Sequence, residues 1–117
     1  MVAKYLDSLA RQNYSNYRVV YVDDASDDGS VERLQELIFL EYPELKDKLT
    51  IVRNTHRLYS LYNRHQAITD YCHPADIILD LDADDQLIGS QVFKFFNALY
   101  SQHSEAWLIY TNAVTIL

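Results

Sequence analysis

The chain has 117 residues, with 10 Lys and Arg against 17 Asp and Glu, which gives a formal net charge of −7. This acidic balance argues against a nucleic-acid-binding surface, which is basic, so no nucleic-acid partner is expected. The length predicts one domain over residues 1–117, and the hydrophobic content of 49% is that of a globular chain and not of a disordered one.

Helical and strand patterns alternate along the first half of the chain. Apolar residues at helical spacing between Tyr5 and Leu9 predict a short first helix. The β-branched and aromatic run Tyr17–Val22 predicts a buried strand that stops at an acidic loop. Ser26–Asp28 then offer N-caps for a helix that Pro43 ends.

The second half continues the alternation. Leu49–Arg53 predicts a strand, followed by a helix from about Leu58. Asp76–Leu81 predicts another strand, a helix follows from about Ser90, and Trp107–Thr111 predicts a last strand. Strands that alternate with helices predict an α/β fold with a mostly parallel, Rossmann-like sheet and helices on both faces.

Nine of the seventeen acidic side chains lie in two short windows, each at the end of a predicted strand. They are Asp23, Asp24, Asp27 and Asp28 in the first window, and Asp76, Asp80, Asp82, Asp84 and Asp85 in the second. Ligands of parallel sheets bind at the carboxyl ends of the strands. The pair Asp82 and Asp84 is suited to a hard divalent cation, whose other positions a pyrophosphate fills. With the first window accepting hydrogen bonds from a base and ribose, the pattern predicts a metal-bridged nucleotide diphosphate.

Three stretches of the chain resemble family 2 glycosyltransferases with the GT-A fold. Val22–Ser30, with the sequence VDDASDDGS, is similar to their VDDGSxDGS loop, although Ala25 stands where the family often has glycine. Leu81–Asp85, LDADD, is similar to their metal motif, and Tyr5–Tyr14 resembles the helix before the first acidic strand. Together these stretches extend the resemblance over nearly the whole chain.

The resemblance implies roles for five aspartates and one arginine. It implies that Asp24, with Asp23 beside it, contacts the base of a sugar nucleotide, and that Arg64 falls near an arginine that approaches the diphosphate. The resemblance also implies that Asp82 and Asp84 bind the ribose and a Mn²⁺ or Mg²⁺ ion, with Asp85 as an adjacent ligand of the ion.

The reaction implied by the resemblance moves a sugar from a nucleotide-diphosphate sugar, with a UDP-sugar as the expected donor, to an acceptor hydroxyl with inversion. The acceptor class, whether glycan, protein or lipid, stays open. Family members also have a strand before the first helix, expected between the first two strands seen here, and a later segment with the general base. Nothing here matches either, so we expect a partial domain, the nucleotide-sugar-binding half. An open sheet edge makes a homodimer an expected outcome.

Three other interpretations remain open. A haloacid-dehalogenase-like phosphatase would use Asp80 as nucleophile and Asp82 as acid, but Gly-Thr does not follow the pair. A calcium-binding EF-hand would have Asp85 at loop position 6 and Gln91 at position 12, where glycine and glutamate are required. A non-catalytic remnant would keep the sugar-nucleotide site, or only the fold, as an interaction module.

Membrane and export signals are not visible in the sequence. The longest apolar runs, Ile77–Leu79 and Trp107–Tyr110, are far shorter than the ~20 residues that cross a bilayer. Residues 1–11 lack the continuous apolar segment of a signal peptide. The single cysteine, Cys72, excludes an intrachain disulfide. We therefore expect a cytoplasmic location without a transmembrane helix.

Overall fold

The computed structural model describes residues 2–106 and residue 108. Helices and strands alternate, which confirms the predicted α/β class. In chain order the elements are α1 (Val2–Ala10), β1 (Val19–Asp23), α2 (Ser30–Leu40), a 3₁₀ turn (Pro43–Leu45), β2 (Leu49–Arg53), α3 (Ser60–Tyr71) and α4 (Val92–Gln102). The strand predicted at Leu49–Arg53 is confirmed without a change of bounds.

The two strands form a parallel pair, as the alternation predicts. Val19 lies opposite Leu49, and Asp23 lies opposite Arg53 at the carboxyl end. A parallel pair needs a long crossover connection, and α2 supplies it. In the part of the chain that the structure describes, the two strands bond to each other directly.

Helices cover both faces of this pair. Neighbouring residues of a strand point to opposite faces. On one face, the ring of Tyr21 contacts Tyr5 of α1 in an edge-to-face arrangement, with ring centroids 5.9 Å apart. On the other face, Val22 and Val52 line one small cavity together with Tyr62 of α3. The predicted sandwich of helices around a sheet is therefore confirmed.

The buried core lies on the α1 and α2 side of the sheet. Its members are Tyr5, Leu6, Leu9, Tyr21, Val31, Leu34, Leu37, Ile38 and Leu45. α2 presents four of them on one face, as its apolar spacing predicts. Neither α3 nor α4 has a fully buried residue among those described. The first half of the chain is therefore packed more tightly than the second.

The strand predicted at Asp76–Leu81 is wrong, because these residues form neither helix nor strand. A strand is defined by backbone hydrogen bonds to a neighbour, and in the described part of the chain the sheet consists of β1 and β2. Ion pairs tie the segment instead, from Arg18 to Asp76 and from Arg64 to Asp80. The last predicted strand, Trp107–Thr111, lies outside the described residues except for Leu108.

Within residues 2–106 and 108, no helix combines the length and the apolar character that a bilayer span requires. The longest of these helices, α3, has 12 residues.

Candidate functional site

The first acidic residue after the hydrophobic part of β1, Asp23, is directed into the protein. Its side chain is only 4% exposed. One carboxylate oxygen accepts a hydrogen bond from the hydroxyl of Ser26, and the other lies 3.7 Å from Nε of Arg53. That second oxygen, Oδ2, is buried and accepts no hydrogen bond from the described residues. In this position Asp23 anchors the acidic loop to the end of β2.

Asp24 is directed toward the loop that precedes α3. Its Oδ1 accepts hydrogen bonds from the backbone N–H of Leu58 at 2.7 Å and from Nδ2 of Asn54 at 3.0 Å. Its Oδ2 accepts the backbone N–H of Tyr59 at 2.9 Å. These donors, the Leu58 N–H first among them, lower the pKa of Asp24 to about 2. Asp24 is therefore a fixed negative charge at neutral pH.

The backbone on both sides of this contact is unusual. Ala25 has a φ of 60°, in the left-handed region where glycine is favoured. Tyr59 has φ 69° and ψ 162°, a region that is essentially reserved for glycine and costs about 1–3 kcal/mol. Asp24 holds this residue through its N–H. The strain is thus concentrated where the acidic loop meets the start of α3.

The second acidic window brings three carboxylates together. One carboxylate oxygen from each of Asp82, Asp84 and Asp85 lies within 4.8 Å of the other two, and all three side chains are exposed. A turn in which the Asp85 N–H donates to the Asp82 carbonyl at 3.0 Å brings the ends of this short stretch together. Oxygen ligands of this kind and spacing fit a hard divalent cation such as Mn²⁺ or Mg²⁺.

Arg64 contacts the second acidic window. It extends from α3, where its Nε is 2.6 Å from Oδ2 of Asp80 and its Nη2 is 3.7 Å from Oδ1 of Asp82. The N-terminal end of the same helix is tied to Asp24 through Tyr59. α3 therefore connects the acidic loop after β1 with the acidic cluster at 82–85.

Sequence reasoning missed Asn54, which joins these parts. Its side-chain amide donates to Asp24 and to Oδ1 of Asn63, the latter at 2.8 Å, and its backbone N–H donates to the carbonyl of Asp23 at 2.9 Å. The feature of the sequence that could have pointed to Asn54 is its position as the first residue after β2. A polar residue at the carboxyl end of a parallel strand lies at the edge where ligands bind.

Fold and sequence comparison together give the class of this protein. It is an α/β domain with a parallel strand pair and acidic loops after the strands. The model of "Glycosyl transferase family 2" matches residues 1–107. The chain belongs to this family, which confirms the resemblance drawn from the acidic motifs. No match was found among curated proteins or among solved structures.

Family membership supports a general glycosyltransferase function. Members of such a family act on a nucleotide-sugar donor and an acceptor, so these are the partner classes expected for the domain.

Proposed function

We propose that this domain binds a UDP-sugar together with a divalent cation and transfers the sugar to an acceptor hydroxyl with inversion. The observation that carries the proposal is the link made by α3. One end of this helix is bonded to Asp24, and its Arg64 is paired with Asp80 and Asp82. A base-binding acid and a metal-binding cluster are thereby tied to one rigid element.

Asp24 is the acceptor for the base in this proposal. Its three hydrogen bonds place two donors on Oδ1 and one on Oδ2. A carboxylate oxygen accepts two hydrogen bonds, so Oδ2 can accept one more, for example from the N–H of a uracil ring. Asp23, predicted to contact the base beside Asp24, supports the loop from within, where it receives the Ser26 hydroxyl.

Asp82, Asp84 and Asp85 supply the oxygen ligands for the cation. When bound, Mn²⁺ or Mg²⁺ neutralises the charge that develops on the departing diphosphate. Arg64 is the second positive group at this place. A guanidinium donates two parallel hydrogen bonds to phosphate as readily as to carboxylate, so Arg64 can exchange part of its contact with Asp80 and Asp82 for the diphosphate.

The bond changes of the transfer are those of a single displacement. The acceptor oxygen forms a bond to the anomeric carbon while the bond from that carbon to the diphosphate oxygen breaks. The hydroxyl proton passes to a general base. No residue of this chain is assigned to that role, so donor binding is the part of the reaction that the described residues support.

Isothermal titration calorimetry of UDP, with and without Mn²⁺, tests this proposal. UDP binding should strengthen with Mn²⁺ and be lost in Asp84→Ala, because the Asp84 carboxylate would supply one of the oxygen ligands of the cation that offsets the diphosphate charge. Asp47→Ala is the matched control, since Asp47 is an exposed acid in the turn before β2. Absent or metal-independent binding of UDP would refute the proposed site.

Two further assays separate the remaining alternatives. Release of UDP from a UDP-sugar in the presence of acceptors would show turnover, whereas binding without release would favour the non-catalytic remnant. Phosphate release from an aryl phosphate that disappears in Asp80→Asn would favour the phosphatase interpretation instead.

A further inference from the structure

Gln12 is a buried polar residue just beyond the end of α1, and its side chain is fully engaged. Only 8% of it is exposed. Its Nε2 donates to the carbonyl of Ser8 at 3.1 Å and to the carbonyl of Gly89 at 2.8 Å. Its Oε1 accepts the backbone N–H groups of Val92 at 2.9 Å and Phe93 at 3.2 Å. One amide thus joins α1 to a segment 77 residues away.

Neighbouring contacts also hold the end of α1 against the start of α4. The backbone N–H of Asn13 donates to the carbonyl of Ser90 at 2.7 Å. The ring of Phe93 packs against Tyr17 with centroids 4.8 Å apart. The end of α1 therefore holds both sides of the turn that leads into α4.

The acidic cluster lies on the segment that leads to the contacts of Gln12 with Gly89 and the start of α4. Residues 82–91 contain neither helix nor strand, so no ladder of backbone hydrogen bonds sets the position of the carboxylates. On the N-terminal side the segment is held by Arg64 through Asp80 and Asp82. On the C-terminal side it is held by Gln12 through Gly89.

The two ends of the Gln12 amide perform different tasks. Capping the first N–H groups of α4 requires only an acceptor, which serine, aspartate or glutamate also supplies. Holding the Gly89 carbonyl as well requires a donor, which an ionised aspartate or glutamate lacks. The donor end is therefore not explained by the capping of α4, and it acts on the segment that carries the acidic cluster.

We propose that Gln12 is a positioning residue that fixes Asp82, Asp84 and Asp85 for cation binding by holding the Gly89 carbonyl. This inference rests on the proposed function. It assigns to α1 a part in organising the metal site.

Two substitutions separate the donor end from the cap. Gln12→Glu keeps the acceptor for the Val92 and Phe93 amides but replaces the donor to Gly89 with an oxygen. Gln12→Met removes both ends without adding charge. Gln35→Glu is the control for added charge, because Gln35 is exposed on α2. Mn²⁺ affinity by electron paramagnetic resonance, hydrogen exchange of the Val92 and Phe93 amides, and urea unfolding are measured for each variant.

Gln12→Glu should keep slow exchange at both amides yet bind Mn²⁺ at least about tenfold more weakly, because residues behind the ligands typically change metal affinity by about 10–100-fold. Gln12→Met should lose both the slow exchange of the two amides and the parental Mn²⁺ affinity. Gln35→Glu should match the parent in both properties. Parental Mn²⁺ affinity in both Gln12 variants, each folded by its urea curve, would overturn this inference alone. A parent chain that does not bind Mn²⁺ would overturn the proposed metal site and this inference with it.

Discussion

Two adjacent aspartates at the end of β1 have different surroundings, because neighbouring residues of a strand point in opposite directions. Asp23 turns inward to the Ser26 hydroxyl and toward Arg53. Asp24 turns toward the backbone N–H groups of Leu58 and Tyr59. The same residue type therefore serves as an internal anchor at one position and as a site for donors at the next.

The hydrogen bonds to Asp24 give the stability of the fold a pH dependence. The folded pKa of about 2 lies below the ordinary value of 3.8, so the stabilisation is complete above the ordinary value and is lost as pH falls toward the folded one. The free energy of unfolding of the parent should therefore fall more steeply from about pH 5 to about pH 2.5 than that of Asp24→Asn. Urea unfolding at stepped pH values measures this difference.

Asp27→Asn is the control for the Asp24 experiment, because Asp27 is an exposed acid in the same loop and receives none of the three bonds that Asp24 accepts. Asp28 and Glu32, whose pKa values are also lowered, are unchanged in all three proteins. Their contribution therefore cancels in the comparison. Equal slopes for the parent and Asp24→Asn would show that the three donors do not stabilise the charged form.

Among the elements, α2 contributes most to the core and also serves as the crossover between the paired strands. Its residues Val31, Leu34, Leu37 and Ile38 are buried on one face. α3 and α4 have no buried residue among those described. The stability of the domain should therefore depend on α2 more than on the helix that carries Arg64.

Leu34→Ala tests the role of α2. Leu34 is 0% exposed, so its truncation leaves a cavity and should lower the free energy of unfolding by about 2–5 kcal/mol. Leu40→Ala on the same helix removes the same atoms from a side chain that is 64% exposed. It should change the free energy of unfolding by no more than about 0.5 kcal/mol. Urea denaturation followed by circular dichroism measures the free energy of unfolding of both variants. Similar losses in the two variants would show that the buried face of α2 is not part of the core.

At the scale of the whole molecule, the charge is unbalanced in favour of acids by a net −7. Three of these acids meet in the exposed cluster Asp82, Asp84 and Asp85. Like charges at this spacing repel each other, and only Asp82 of the three is also near Arg64. A divalent cation that binds the folded cluster should therefore stabilise the entire domain.

Thermal unfolding with and without Mn²⁺ measures this coupling. At a free Mn²⁺ concentration about 100 times its Kd, the folded state should gain about 2.7 kcal/mol. EDTA should reverse the gain, and Asp84→Ala should abolish it. KCl at matched ionic strength is the control for screening, and an equal effect of KCl would show that no specific cation site exists.

Much of the fold, and the grouping of acids in the candidate site, could be predicted from the sequence because they depend on local patterns. The β-branched run of β2 and the apolar spacing of α2 each specify an element without reference to the rest of the chain. The carboxylates at 82–85 are neighbours in sequence, so their meeting in space follows from a single turn. The motifs around Asp24 and Asp82 also indicated the family, which the family model confirms.

The failures came where a structure depends on distant partners. The apolar run Asp76–Leu81 has the composition of a strand, but composition cannot supply the neighbouring strand that a ladder requires. Which strand β1 pairs with also depends on which edges meet, and the pattern of either strand alone does not specify it.

The α/β class, the parallel crossover, the acidic loops and the family follow from the amino-acid sequence, since each depends on residues that lie close together in the chain. The folded structure was needed to show that Asp23 is buried while Asp24 accepts hydrogen bonds from the start of α3. It was also needed to show that the Gln12 side chain donates to the Gly89 carbonyl. Those outcomes depend on which backbone N–H and C=O groups approach a side chain from other elements. That approach is set by the packing of the helices against the strand pair, which no local pattern encodes.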